Sequence, residues 1–125
     1  MKPMSMRKCR WIWVAPLLAT LLGMGACERE EYDHEPPAGQ GALAVSNFTG
    51  DRVRVYIDGL AAESVAEGKV RYYDLIPGVH RVALDSDDNE ASWAGDADIL
   101  AGRLTVMEVR TDYYGDEFDV RMYFD

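Results

Sequence analysis

The chain of 125 residues sets 13 Lys+Arg against 22 Asp+Glu, a formal charge of -9, and holds two cysteines. That length allows one domain. Residues 1–26 contain four bases (Lys2, Arg7, Lys8 and Arg10) and no acid, so nine bases face 22 acids beyond them, a side-chain charge of -13. Such a body repels phosphate backbones and anionic head groups, which excludes nucleic-acid binding and polybasic adsorption to membranes.

The first element is an export signal. Met1–Arg10 is basic, Trp11–Leu22 is almost wholly apolar, and Gly23-Met24-Gly25-Ala26 is small and flexible. This order matches the charged, apolar and cleavage regions of a secretory signal peptide. A transmembrane helix is the competing possibility. Trp11–Ala26 offers only 16 residues, interrupted by Pro16, where a span needs about 20. Residues 1–26 are therefore expected to be removed.

The stretch Leu21-Leu22-Gly23-Met24-Gly25-Ala26-Cys27 resembles the lipobox of bacterial lipoproteins. The resemblance implies a diacylglyceryl group on the Cys27 thiol, cleavage before Cys27 and acylation of the new amino terminus. Each acyl CH₂ placed in a bilayer contributes about 0.8 kcal/mol, and several chains give a lasting anchor. Cys9 leaves with the signal, so the mature chain would keep no free thiol, no disulfide and no cysteine metal site. Position 28 is Glu rather than Asp. The resemblance therefore implies an outer-membrane address rather than retention at the inner membrane.

The remainder of segment 27–41, Glu28–Gly41, is charged, carries Pro36-Pro37 and two glycines, and lacks apolar periodicity. It buries too little apolar surface to offset ordering entropy, so it is expected to be a flexible acidic linker that spaces the domain from the membrane.

Residues 42–125 change to period two, the signature of half-buried strands. Leu43 and Val45 alternate with small residues; Val53, Val55 and Ile57 alternate with Arg52, Arg54 and Tyr56. Val82 and Leu84 follow suit, as do Phe118, Val120, Met122 and Phe124. Leu104–Arg110 is β-rich with a mixed phase, which predicts a bulge or burial on both faces. Turn signals at Thr49-Gly50-Asp51, Asp58-Gly59, Pro77-Gly78, Ala101-Gly102 and Gly115-Asp116 separate these runs. Leu60–Gly68 is the one short helix candidate. The expected fold is all-β, a small antiparallel sandwich of about seven strands.

Within it, Ala42–Asn47, then Val53-Arg54-Val55-Tyr56-Ile57-Asp58-Gly59, then Leu75-Ile76-Pro77-Gly78-Val79-His80-Arg81-Val82, together resemble the PEGA-type repeat. Ala66-Glu67-Gly68-Lys69 stands near the segment that names that family. The resemblance implies a small β-sandwich module on an exported protein, generally without catalytic activity. Transthyretin-like and immunoglobulin-like sandwiches are the related alternatives.

Candidate chemistry is sparse. His80 shares a phase with Val82 and Leu84, which favours a hydrogen-bonded structural histidine over a metal ligand or general base; His34 lies in the linker. Asp85, Asp87 and Asn89 match the alternating ligands of a calcium loop, with Asp96 at its twelfth position. Glu90 stands where that loop needs Gly, so a solvated connection is the plainer expectation, with Ca²⁺ as the competing one. Asp116, Glu117 and Asp119 would need a cleft between them to act as paired catalytic acids, and 84 residues of sandwich leave little room for one. No catalytic residue is assigned. Tyr72, Trp93, Tyr113 and Tyr114 are candidates for a surface that stacks on a glycan or an envelope protein, with core filling as the alternative. The expected function is a membrane-anchored, non-catalytic binding or structural module. A calcium-binding module and an acidic protein that sequesters a basic partner are the alternatives.

Overall fold

Alternation of β-branched residues with Arg and Tyr produces strands that bury one face, and two such sheets closed on each other form this domain. The computed structural model describes residues 32–125, so the expected signal peptide, the expected lipidation at Cys27 and the first part of the expected linker lie outside the described residues. Eight strands are formed: β1 (Gly41–Asn47), β2 (Val53–Ile57), β3 (Leu60–Ala61), β4 (Val70–Leu75), β5 (Gly78–Ser86), β6 (Ser92–Ile99), β7 (Leu104–Thr111) and β8 (Phe118–Phe124). They make two four-stranded sheets, ordered β4-β1-β7-β8 and β3-β2-β5-β6. The fold is a small β-sandwich. Every strand pair is antiparallel except β1 with β7, which run parallel with Ala42 opposite Leu104 and Asn47 opposite Val109.

The facing sides of the sheets supply the core. Leu43 and Val45 of β1, Val53 and Val55 of β2, Val82 and Leu84 of β5, and Met107 and Val109 of β7 are all fully buried. Each such Val or Leu contributes about 1.5–3 kcal/mol by leaving water. The mixed phase of β7 reflects burial on both faces: Leu104, Thr105, Val106 and Met107 are all buried in succession.

One expectation needed correction. Leu60–Gly68 is not helical. Leu60–Ala61 pairs with Tyr56 and Ile57 across the Asp58-Gly59 turn, and Val65 bridges back to Val53. Both turn residues have positive φ, 53° at Asp58 and 84° at Gly59, the geometry a two-residue hairpin needs to match strand twist. Of the eight strands, β3 is only two residues long, and β6 carries the small residues Gly95 and Ala97. On β6, Trp93, Gly95, Ala97 and Ile99 still alternate inward, opposite Leu84, Val82, His80 and Gly78.

Strand direction sorts the loops onto two ends. At one end lie the start of β1, the β2–β3 turn, the β4–β5 turn at Ile76-Pro77, the β6–β7 turn at Leu100–Arg103, and the end of β8. At the other lie the loops after β1, before β4, between β5 and β6, and between β7 and β8. Pro36–Asp125 forms one unit, and the chain enters it at the first end: Gln40 N–H donates to Pro37 O at 3.0 Å, and Gly102 N–H donates to Gln40 O at 2.8 Å. Gly41 fits because it has no side chain. A Cβ there would lie 2.2 Å from Leu100 O.

Candidate functional site

The conspicuous histidine is a clasp. His80 is 7% exposed and lies on the inward side of β5. Its Nε2–H donates to Ile76 O at 2.8 Å, and its Nδ1 is 2.6 Å from Asp58 Oδ2. Both ring nitrogens therefore face acceptors, which favours the doubly protonated ring. The hydrogen bond to the Ile76 carbonyl raises the His80 pKa, burial opposes that, and Asp58 adds to the rise. Asp58 is held below the ordinary carboxylate range, first by the bond from His80 and then by the Arg81 N–H that donates to Oδ1 at 3.0 Å. The two motif residues that carry the PEGA-type resemblance, Asp58 and His80, thus tie the β2–β3 turn to the β4–β5 turn. This geometry leaves His80 no lone pair for a metal.

The candidate calcium ligands are not brought together. Asp85 and Asp87 share Arg54, at 2.9 Å and 3.2 Å. The hydrogen bond from Arg54 to Asp85, with the nearby charges of Asp85 and Asp87, keeps Arg54 more firmly protonated than usual. Asn89 turns its amide to other work: Oδ1 accepts from Ala91 N–H at 2.7 Å and Nδ2 donates to Asp51 Oδ2 at 2.9 Å. Asp96 lies four positions down β6, opposite Arg81, to which it is bonded at 3.2 Å. At strand rise that is about 13 Å from the level of Asp85. Among the described residues no group of three His, Cys, Asp or Glu is placed to hold a metal ion.

The acids near the last hairpin shape a turn. Asp112 Oδ1 accepts from Asp116 N–H at 2.9 Å and from Glu117 N–H at 3.4 Å. Asp116 and Glu117 are neighbours on one exposed loop instead of facing each other across a cleft.

The four aromatic candidates separate as well. Tyr72 lies on β4 opposite Ala44, and Trp93 packs against the core from β6 with its ring over Gly95, where a Cβ would come within 2.6 Å. Only Tyr113 and Tyr114 remain together. They are 93% and 79% exposed at the tip between β7 and β8, and their rings meet edge to face at 5.0 Å. Tyr73, the inward partner of Tyr72, donates its hydroxyl to Glu63 O, and burial pushes its pKa up to about 12.

Two features were not anticipated from the sequence. Asn47, fully buried at the end of β1, donates from Nδ2 to Asp51 O at 2.8 Å and to Val65 O at 3.0 Å. Its Oδ1 accepts from Thr49 N–H at 2.9 Å, which fixes the β1–β2 loop. The signal was present: an Asn closing an apolar strand just before a Thr-Gly-Asp turn. The second feature is the segregation of loop chemistry. Tyr113 and Tyr114 share their end of the sandwich with Asp87, Asp88, Glu90, Asp112, Asp116 and Glu117, and with exposed Phe48 and Val70, while exposed Leu60, Ile76, Val79 and Leu100 gather at the other end. Among the described residues every buried side-chain nitrogen and oxygen has a hydrogen-bond partner, so no buried polar group is left waiting for a ligand.

No family model matches the chain, and no curated protein matches it. Among solved structures, the C-terminal domain of AlgF from P. aeruginosa superposes with a TM-score of 0.57 at 14% identity, over 70% of this chain and 99% of that one. A protein from Eubacterium rectale, solved by NMR, matches 66% of this chain at a TM-score of 0.48 and 12% identity. At that identity the AlgF domain shares a fold with this chain and nothing finer is implied.

Proposed function

We propose that this protein is a bacterial envelope lipoprotein, anchored through Cys27, whose non-catalytic β-sandwich presents an acidic, tyrosine-tipped loop end to a basic partner. Support for the anchor is the order of charge, apolar run, small residues and cysteine in residues 1–27, followed at once by Glu28-Arg29-Glu30-Glu31. The likeness of Asp58-Gly59 and Pro77-Gly78-Val79-His80 to the PEGA-type pattern supports a non-catalytic module, because these residues are spent on clasping turns.

The observation that carries the binding surface is the Tyr113–Tyr114 pair. Two adjacent tyrosines so exposed are costly to leave in water, and their rings offer contact area at low conformational cost. Asp112, Asp116 and Glu117 surround them and draw a cationic surface by long-range attraction. Asp116 and Glu117 are exposed, and the half-buried Asp112 shapes the loop by accepting their N–H groups.

The test is capture of envelope proteins on the immobilised full-length acylated protein and on Y113S/Y114S. A basic protein retained at low salt, released as salt rises and lost with the double variant is the expected result. Equal retention by the variant contradicts the tyrosine tip as the contact.

A further inference from the structure

The end of the sandwich opposite the tyrosines has a different composition. Leu60, Ile76, Val79, Leu100 and Phe124 are 73%, 65%, 64%, 40% and 46% exposed. They come from the β2–β3, β4–β5 and β6–β7 connections and the end of β8, and only strand direction brings them to one end. Monomeric soluble domains seldom concentrate exposed aliphatic side chains in this way without an apolar surface to meet.

Charged residues also lie at this end. Asp58 is held by His80 and by the Arg81 N–H. Arg103 lies with its guanidinium 5.9 Å from the centre of the Phe124 ring, a cation beside an aromatic at the rim. Asp125, whose N–H donates to Leu104 O at 3.0 Å, is a further acid here, as are Asp98, exposed opposite Val79, and Asp74 beside Leu75. A larger group of loop acids, Asp87, Asp88, Glu90, Asp112, Asp116 and Glu117, stands at the opposite end.

The linker decides what covers this apolar end. The chain reaches β1 beside the Leu100–Arg103 turn, where Gly102 N–H donates to Gln40 O. Thirteen residues lie between Cys27 and Gly41, and the last five of them, 36–40, belong to the folded unit. The nine steps from Cys27 to Pro36 reach at most roughly 32 Å. Anchored at Cys27, the domain is therefore confined near the bilayer, and the end nearest the anchor is the apolar one.

We infer that Leu60, Ile76, Val79, Leu100 and Phe124 form a docking face that rests on the phospholipid surface, turning the acidic tyrosine-bearing end away from the membrane. This inference relies on the lipid anchor proposed above. Arg103 meets lipid phosphates at the rim, and its aliphatic stem lies along the apolar face. Repulsion between the head groups and the acidic loops acts in the same sense, because it penalises every orientation that brings those loops down. The anchor supplies residence at the membrane, and the apolar end supplies orientation.

Hydrogen exchange on tethered protein tests the face. The unit Pro36–Asp125 holds its own core and both its sheets, so the chain from Cys27 onward can be prepared with Cys27 as its only thiol. It is coupled through that thiol to maleimide lipid in phosphatidylethanolamine–phosphatidylglycerol vesicles. Asp58–Leu60, Ile76–Val79 and Leu100–Arg103 are expected to exchange several-fold more slowly on vesicles than in solution, with loops 87–91 and 112–117 unchanged. L60S/I76S is expected to remove that protection and leave the core protected. Slowing at the acidic loops, slowing at neither end, or the same slowing in vesicle-free protein at rising concentration would overturn the inference, the last by assigning the face to a second copy. Chemical coupling makes this result independent of natural acylation. An unacylated Cys27 in protein from the envelope would defeat the lipoprotein proposal and leave the vesicle result standing.

Discussion

His80 Nδ1 lies 2.6 Å from Asp58 Oδ2, joining two turns that are 22 residues apart in sequence. The contact gives one structural purpose to an Asp-Gly hairpin and a Pro-Gly-x-His turn. Asp58 adopts a positive φ that few residues tolerate, and its carboxylate is engaged on both oxygens. His80 completes the arrangement by donating to Ile76 O on its other side. A residue type often associated with catalysis is here a pin between loops.

The pin sets a pH dependence. His80 has a folded-state pKa above its ordinary 6.5, so its stabilising contribution is complete below 6.5 and fades as pH rises through the folded value. Asp58 is lowered from 3.8, so its contribution is present above that pH and fades as pH falls through the folded value. The pair is expected to stabilise the domain most between those limits, in mildly acidic solution. Urea midpoints measured from pH 4 to 9 should decline on the alkaline side for the native protein, and the decline should flatten in H80Q. A His80 ring that titrates below 6.5 by NMR would contradict the assignment.

Asn47 is expected to be among the most sensitive polar positions. Replacing it with Ala leaves the buried Thr49 N–H without its acceptor and empties the space beside Val65 O, which keeps only the bond from Val53 N–H. A loss of about 3 kcal/mol follows from unsatisfied buried groups, read as a lower denaturant midpoint with an unchanged slope. N47D should be no better, since it turns a carboxylate oxygen toward the two carbonyls that Nδ2 now serves.

Arg54 offers the contrast. Its bridges to Asp85 and Asp87 involve side chains that are 40–44% exposed. Salt screens such pairs, so R54A is expected to shift the denaturant midpoint far less than N47A does. Calorimetric titration with calcium should give no saturable heat for the native protein in the micromolar range, because Arg54 already occupies the two carboxylates.

Gly41 tests how tightly β1 passes the β6–β7 turn. A Cβ at that position meets backbone, Leu100 O at 2.2 Å, and backbone yields less readily than a side chain. G41A is expected to cost about 1–3 kcal/mol as overpacking. At Gly95 the obstacle is the Trp93 ring, so G95A should move the ring and change tryptophan fluorescence.

Much of the sandwich was legible because strand alternation in β2, β5 and β8 is carried by Val, Ile, Leu and Phe. Strand β6 was hidden: its inward residues include Gly95 and Ala97, which leave room for the Trp93 ring and give little hydrophobic signal. Leu60–Gly68 read as a helix because its small residues lack a phase, yet the Asp58-Gly59 hairpin and the Val65 bridge decide its path. The parallel pairing of β1 with β7 depends on contacts some sixty residues apart, which local periodicity does not encode. The structural role of His80 was visible from its phase with Val82 and Leu84. The calcium-type spacing of Asp85 and Asp96 does not carry into the fold, because the two residues stand at different heights on the sheet. Loop segregation into an apolar and an acidic end required strand directions, which only the fold supplies.

The anchor at Cys27 is the premise on which orientation and surface presentation both depend. The most direct measurement is mass spectrometry of the amino-terminal peptide of the protein isolated from its native envelope. The expected result is a chain beginning at Cys27, with a diacylglyceryl thioether on the sulfur and residues 1–26 missing. A free Cys27 thiol within a peptide that still contains Gly25-Ala26 would contradict the account.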